Sequence, residues 1–412
     1  MISRIKVKNF GPIKDGSLEN EGWIDLKKVT LFIGNQGSGK STIAKLISTL
    51  TWIEKALVRG DFSEKSLTDK SLKKHFTYQN IGNYFKDETL IEYEGKAFHI
   101  SFINNFVKVK KNKKNGYSFP KIMYVPSERN FVSSVRNVRT LKGLPSTLYT
   151  FSDEFINAVE ELKGQIDLPI NNTKFEYQKL NKLSSIIGED YKIKLSEASS
   201  GFQSFVPLFV VSDFIANSLE KKEDNTIKDI SIEEEKRIRK EIEQILSNPN
   251  ISDDVKQASL EYLSSKFKYS SFINIVEEPE QNLFPNSQNK ILNSLLKFNN
   301  LNENNGLIIT THSPYIINYL CVSIQANYLF EKIMNFSNQK PELFLARLNK
   351  IVPHKSMVSS SNVIIYQLDE ITGTLKKLDD YEGIPSDNNY LNKSLADANE
   401  MFDLLLEIEQ EL

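Results

Sequence analysis

Eight residues, Gly34-Asn35-Gln36-Gly37-Ser38-Gly39-Lys40-Ser41, match the pattern G-x-x-x-x-G-K-[ST] and are followed by Thr42; the fixed positions of this pattern answer to phosphate chemistry. Glycines let the backbone wrap a phosphate chain so that successive N–H groups point inward, and a following helix adds the positive end of its dipole. Lys40 would contact the β- and γ-phosphates, and the Ser41 hydroxyl would ligate magnesium. The expected nucleotide contacts are Asn35, Gly37, Ser38, Gly39, Lys40, Ser41 and Thr42, with ATP and Mg2+ as ligands.

The stretch Phe272-Ile273-Asn274-Ile275-Val276-Glu277-Glu278-Pro279-Glu280 reads as an apolar strand that delivers carboxylates at its C-terminal end. In an open α/β sheet that end is where the ligand sits. Glu277 is the expected metal carboxylate beside Ser41, and Glu278 the group that orients or deprotonates an attacking water. A further buried strand, Leu307 to Thr310, ends in Thr310-Thr311-His312-Ser313-Pro314. His312 is expected to be catalytic, because it follows the strand after the acidic pair and can reach a γ-phosphate. His75, His99 and His354 stand in polar, strand or loop contexts and read as incidental.

These groups converge only if the flanking segments fold as strands and helices of the right kind. Ile2 to Phe10 alternates like a half-buried strand, and Val29 to Ile33 is apolar throughout. Ile43, Leu46, Ile47 and Leu50 then recur at helical spacing, completing strand, glycine loop and helix. Short strands at Leu90 to Tyr93, Ala97 to Ile103 and Val107 to Val109 predict a small antiparallel sheet between about Asp61 and Tyr117. Five lysines in Lys108 to Lys114, followed by Asn115-Gly116, mark the end of a hairpin: a solvated turn, or a contact to a phosphate backbone. After the strand Lys121 to Val125 the periodicity is mostly helical through Ile187, and the polar stretch Leu219 to Ser265 reads as a helical arm. The tail offers a hairpin, Val363 to Leu378 turning near Thr372-Gly373, and a closing helix, Leu391 to Ile408. The expected segments are an N-terminal lobe (1–130), a helical lobe with arm (131–270), a C-terminal lobe (271–345) and a hairpin with helix (346–412).

The 412 residues exceed what one hydrophobic core usually holds, in keeping with lobes attached to a main domain. With 52 basic against 53 acidic residues, net charge neither argues for a nucleic-acid partner nor excludes one. Cys321, the one cysteine, forms no internal disulfide. The start lacks the layout of a secretory leader, and the longest apolar candidates, such as Ser204 to Ala216, fall short of the roughly 20 residues a bilayer requires. A cytoplasmic protein with no membrane partner is expected.

The glycine loop, the element Ser199-Ser200-Gly201-Phe202-Gln203-Ser204, the acidic strand and the strand-ending histidine, in this order, resemble ABC-class ATPases of the SMC, RecF and OLD type. The resemblance covers roughly residues 1 to 345. It implies an α/β P-loop NTPase of ABC-ATPase type, with a mixed central sheet flanked by helices, an antiparallel β lobe and a helical lobe or arm. In the family the serine-glycine element is donated across a dimer to the other subunit's γ-phosphate, which assigns Ser200, Gly201 and Gln203 to a site in trans. Glu277 to Pro285 resembles the EPE-x-x-L-x-P form of OLD-like enzymes, departing from it by Glu277 where Asp is usual. Tyr124-Val125-Pro126-Ser127-Glu128-Arg129 resembles that group's strand-end motif; no glutamine stands there, and Arg129 is assigned to the site without a role.

The resemblance further implies a homodimer, or a higher oligomer of dimers, that closes on ATP and opens on hydrolysis. Similar ATPases serve bacterial anti-phage systems such as Septu and PARIS, paired with a separate effector, a nuclease or toxin. The alternatives are a RecF-like repair ATPase that binds DNA, a scaffold that barely hydrolyses, and an OLD nuclease. The last is disfavoured, since its Toprim domain needs about a hundred further residues with strand-end Glu and Asp-x-Asp carboxylates for two metals, and Asp379-Asp380 is not such a pair.

Overall fold

The computed structural model describes residues 3–112, 117–135, 138–220, 269–336 and 341–411, together with 240 and 243. Its centre is a mixed seven-stranded sheet in the order β2-β16-β15-β4-β14-β13-β8. The strands are β2 (Gly16–Ser17), β4 (Val29–Gly34), β8 (Pro120–Val125), β13 (Ser271–Glu277), β14 (Gly306–Thr311), β15 (Val363–Asp369) and β16 (Thr374–Lys377). β8, β13, β14, β4 and β15 run parallel, and β16 turns back antiparallel on β15.

β4, β13 and β14 are buried at every position. Unbroken apolar runs are what a parallel strand covered on both faces requires. Successive side chains divide between the two faces. Leu31, Ile33, Val276 and Ile309 join a core built with helices α4 (Ser146–Glu161), α5 (Ser200–Glu220), α6 (Pro285–Asn300) and α7 (Pro314–Phe336). Phe32, Ile275 and Ile308 join another, built with α1 (Lys40–Arg59) and the antiparallel lobe. That lobe has the order β3-β1-β5-β6-β7, from β1 (Ser3–Phe10), β3 (Trp23–Leu26), β5 (Phe85–Glu94), β6 (Phe98–Ile103) and β7 (Phe106–Lys111).

Two expectations need correction. The region 61–117 is not strands alone, because α2 (Asp69–Thr77) precedes β5. Thr68 caps that helix, accepting from the Ser71 N–H while its own N–H donates to the Ser71 hydroxyl, and Leu72 and Phe76, four apart, enter the core. Nor does helix continue to Ile187. The short α3 (Phe131–Ser134) and α4 are followed by an antiparallel sheet of β9 (Gln165–Asp167), β10 (Lys174–Gln178), β11 (Leu183–Ile187) and β12 (Lys192–Lys194). Asn171 and Asn172 turn the chain at positive φ, and Phe175 and Ile186, opposite one another, plug the same core with no exposed surface. Tertiary burial on one face outweighs the weak helical pattern.

Only part of the lysine-rich turn, up to residue 112, is described. The polar arm lies outside the described residues apart from 219, 220, 240 and 243. α5 is longer than the expected apolar run: Ser200–Leu219 is long and apolar enough to cross a membrane, with 61% of that window buried inside the protein. The tail forms the expected hairpin, closed by the turn at Gly373, then α9 (Tyr390–Glu411); α8 (Pro341–Ile351) precedes it. The central sheet thus draws strands from three of the four expected segments.

Phe175→Ala is expected to lower the unfolding free energy by about 3–5 kcal/mol. A denaturant midpoint unchanged from the parent would show that β9 to β12 do not belong to the main core.

Candidate active site

The register of the central sheet brings four chain segments to one edge. Glu277 pairs with Thr310, Thr311 with Ile33, and Val276 with Val125. The glycine loop, the acidic strand end, the His312 loop and the segment after β8 therefore leave the sheet side by side.

The loop turns tightly after β4. Gly34 has φ of 149°, and a Cβ there would lie 2.5 Å from the Leu368 carbonyl oxygen, so β15 of the tail forms a wall that only glycine tolerates. Gly37, at φ of 76°, faces open space. Ser38 donates its hydroxyl to the Asn35 carbonyl at 2.8 Å, while Asn35 donates its side-chain amide to Glu370 at 2.9 Å. Lys40, 6% exposed, folds back over the loop, donating to the Gly34 and Asn35 carbonyls at 2.9 and 2.7 Å. Burial lowers its pKa to about 8, against the opposing pull of Glu278, Glu280, Glu370 and Glu277. Ser41 is exposed on the first turn of α1, and Thr42 is buried behind it.

Glu277 is 4% exposed; one carboxylate oxygen accepts the Ser127 N–H at 3.3 Å, and the other is buried without a hydrogen-bond partner. An orphaned carboxylate oxygen and a free-facing serine hydroxyl suit a hard cation. Among the described residues no group of three or more His, Cys, Asp or Glu could hold a metal by itself. Magnesium at such a site takes its other ligands from phosphates and water.

Glu278 sits at φ of +44°, a strained backbone for a residue other than glycine. Its N–H donates to the Thr310 carbonyl at 2.8 Å, and its own carbonyl accepts from Arg129 at 2.5 Å. Burial and the neighbouring Glu277 raise its pKa, opposed by Arg129 and Lys40. Across from it, His312 places Nε2 at 3.6 Å from a Glu278 oxygen and Nδ1 at 3.5 Å from the Lys40 ammonium. Burial, then Lys40, depresses the imidazole pKa, opposed by a hydrogen bond with the Gly34 backbone.

Arg129 does not face the loop. Fully buried, it donates to the carbonyls of Ser204 (3.1 Å), Pro126 (3.3 Å), Glu277 (2.7 Å) and Glu278 (2.5 Å). Burial lowers its pKa to about 10, which leaves it charged. It positions the acidic strand end on the first turn of α5.

Ser199 and Ser200 open α5 with exposed side chains, on a different surface element from the glycine loop. Gln203 turns inward, donating to the Ser196 and Ala198 carbonyls at 3.2 and 2.9 Å. A Cβ on Gly201 would lie 2.8 Å from the Asn282 carbonyl oxygen, so the loop after Glu280 packs directly on this helix start.

Two participants carried no role in the sequence reading. Glu280 accepts the His312 N–H and the Thr311 hydroxyl, both at 2.7 Å, fixing where the imidazole stands; its place in the acidic motif was the available signal. Glu370 holds Asn35 from the tail hairpin, and no local pattern marks it.

No family model matches the chain, and no curated protein matches it. Solved structures do. The SMC head bound to the C-winged helix domain of ScpA is 9% identical, with a TM-score of 0.37, covering 91% of this chain and 96% of that one. The SMC head domain from Thermotoga maritima is 11% identical, with a TM-score of 0.36, covering 92% and 100%. A dimeric post-hydrolysis state of an ATP-binding cassette bound to ADP and Pi is 11% identical, with a TM-score of 0.29, covering 92% and 100%.

Arg129→Met removes the guanidinium donors to those four carbonyls and should destabilise the fold by at least about 3 kcal/mol. Equal thermal and denaturant stability in the variant would remove Arg129 from its clamping role.

Proposed function

We propose that the chain is an ATPase of ABC type, in which two copies bind ATP between the glycine loop of one and the α5 start of the other. The observation that carries this reading is the meeting of Lys40, His312 and Glu278 within 3.5 and 3.6 Å at the end of the parallel strands. Lys40, with the loop amides and Asn35, Gly37, Ser38, Gly39 and Thr42, holds the triphosphate. Ser41 and Glu277 hold magnesium, which neutralises phosphate charge when bound.

Glu278, with its raised proton affinity, orients the attacking water and takes its proton. The imidazole of His312, its Nε2 at 3.6 Å from Glu278, faces the same space and stabilises the γ-phosphate. Ser200, Gly201 and Gln203 are assigned to the site of a second copy: the exposed serines at a helix N-terminus suit a phosphate it supplies, and Gln203 braces the turn before them through the Ser196 and Ala198 carbonyls. ATP then joins the two copies, and hydrolysis releases them. The setting we propose is anti-phage defence with a separate effector, nuclease or toxin; its support is the motif resemblance alone. An effector that copurifies from the same operon and changes its output with ATP would test that setting.

Glu278→Gln should lower phosphate release by about a hundredfold or more while retaining ATP, and should accumulate an ATP-bound dimer in sedimentation. Unchanged turnover would remove Glu278 as the base, and an unchanged dimer lifetime would favour a scaffold that scarcely hydrolyses.

A pH signature follows from Lys40. In the free protein its ammonium deprotonates as pH rises through about 8, whereas bound phosphates favour the charged form. ATP affinity is therefore full below that value and falls above it, with Kd rising about tenfold from pH 7 to 9. Fluorescent-nucleotide titrations of the parent and Lys40→Arg should diverge over this range, the arginine variant staying flat; parallel curves would contradict the buried-lysine account.

A further inference from the structure

Among the described residues helix α9 packs on the core through Leu391 at its start, and from residue 400 to 410 every residue is exposed. Met401, Leu405 and Ile408 recur at helical spacing with Phe402 beside them, and these four side chains are 57–65% exposed. An apolar stripe this continuous signals an interface. Its surroundings carry one sign of charge: Glu400, Asp403, Glu407 and Glu409, with no Lys or Arg after Lys393.

Two α9 helices laid together would set these acids against each other, which disfavours simple self-pairing. The covering surface must be apolar with basic edges. The chain carries such a surface where α8 lies on α7. Leu343, Phe344 and Ile351 are 58, 45 and 67% exposed, while Leu348 and Val352 on the adjoining face seal α8 against Ala326 and Met357. Arg347 falls between Leu343 and Ile351 on one helical face, with Lys350 three residues further on, both exposed. Among the described residues Arg347 and Lys350 are in no ion pair.

We propose that α9 of one copy docks its apolar stripe on the α7–α8 shoulder of a second copy, its acids facing Arg347 and Lys350. A 22-residue helix spans about 33 Å, enough to reach beyond its own body. Given reciprocally, the contact closes a two-fold dimer and avoids an open filament. This pairing needs no nucleotide, so it stands or falls separately from the ATP-dependent closure.

Sedimentation equilibrium of the full chain without nucleotide, in a Lys40→Ala background, tests it. The parent should be dimeric. Glu400→Lys with Glu407→Lys, or separately Arg347→Glu with Lys350→Glu, should weaken the dimer at least about tenfold. Mixing the two double variants should restore it, because each swapped tail then meets a swapped shoulder. Leu405→Asp, at an exposed position, should dissociate the dimer without altering the melting temperature. A nucleotide-free parent that stays monomeric overturns the proposal, as does a dimer indifferent to these changes or a mixture that fails to recover. Failure through a different basic-edged polypeptide would appear as a monomeric parent.

Discussion

A guanidinium sealed from water, with backbone carbonyls as its hydrogen-bond partners, fixes the geometry of the site. Arg129 joins the end of the acidic strand, the loop after β8 and the first turn of α5 through four acceptors. A desolvated cation is costly unless its donors are used, so the three segments are held to one mutual arrangement. The consequence reaches Glu278, whose unfavourable φ persists because its N–H and carbonyl are both engaged. It also means that the first turn of α5 and the carboxylates at the end of β13 move as one body.

The groups facing the loop are poised by opposing charge and burial. Lys40 is depressed by burial and sustained by four carboxylates, while Glu278 is raised by burial and by Glu277. His312 stands between them, its pKa lowered by burial and by the ammonium on one side. Pushing an acid and a base toward neutrality is how a site gains groups able to exchange protons near pH 7. The carboxylate of Glu280 completes the arrangement by holding the histidine's own backbone, a positioning part with no approach to phosphate required.

Much of this was legible in the residues. Gly34 to Thr42 announced its own conformation, since few other patterns demand glycine, lysine and a hydroxyl at those spacings, and β4, β13 and β14 read directly as apolar strands. Two kinds of information were not local. α2 is specified by a capping pair at Thr68 and Ser71 and two core residues, a signal too brief to stand out among strands. β9 to β12 are short and rely on Phe175 and Ile186 meeting across the sheet, which no window along the chain contains. Arg129 was found by its place after β8, yet its burial, and so its clamping part, depended on where α5 came to rest.

β15, more than three hundred residues after the glycine loop, supplies the carbonyl that leaves Gly34 no room for a side chain, and Glu370 follows it to hold Asn35. A growing polypeptide therefore emerges with β4 as an unpaired edge on that side until the tail has been made. Such a long-range pairing delays completion of the sheet and leaves an apolar strand open meanwhile. Completion of the glycine loop is thereby tied to synthesis of β15, so fragments broken off before it lack the wall that shapes the loop.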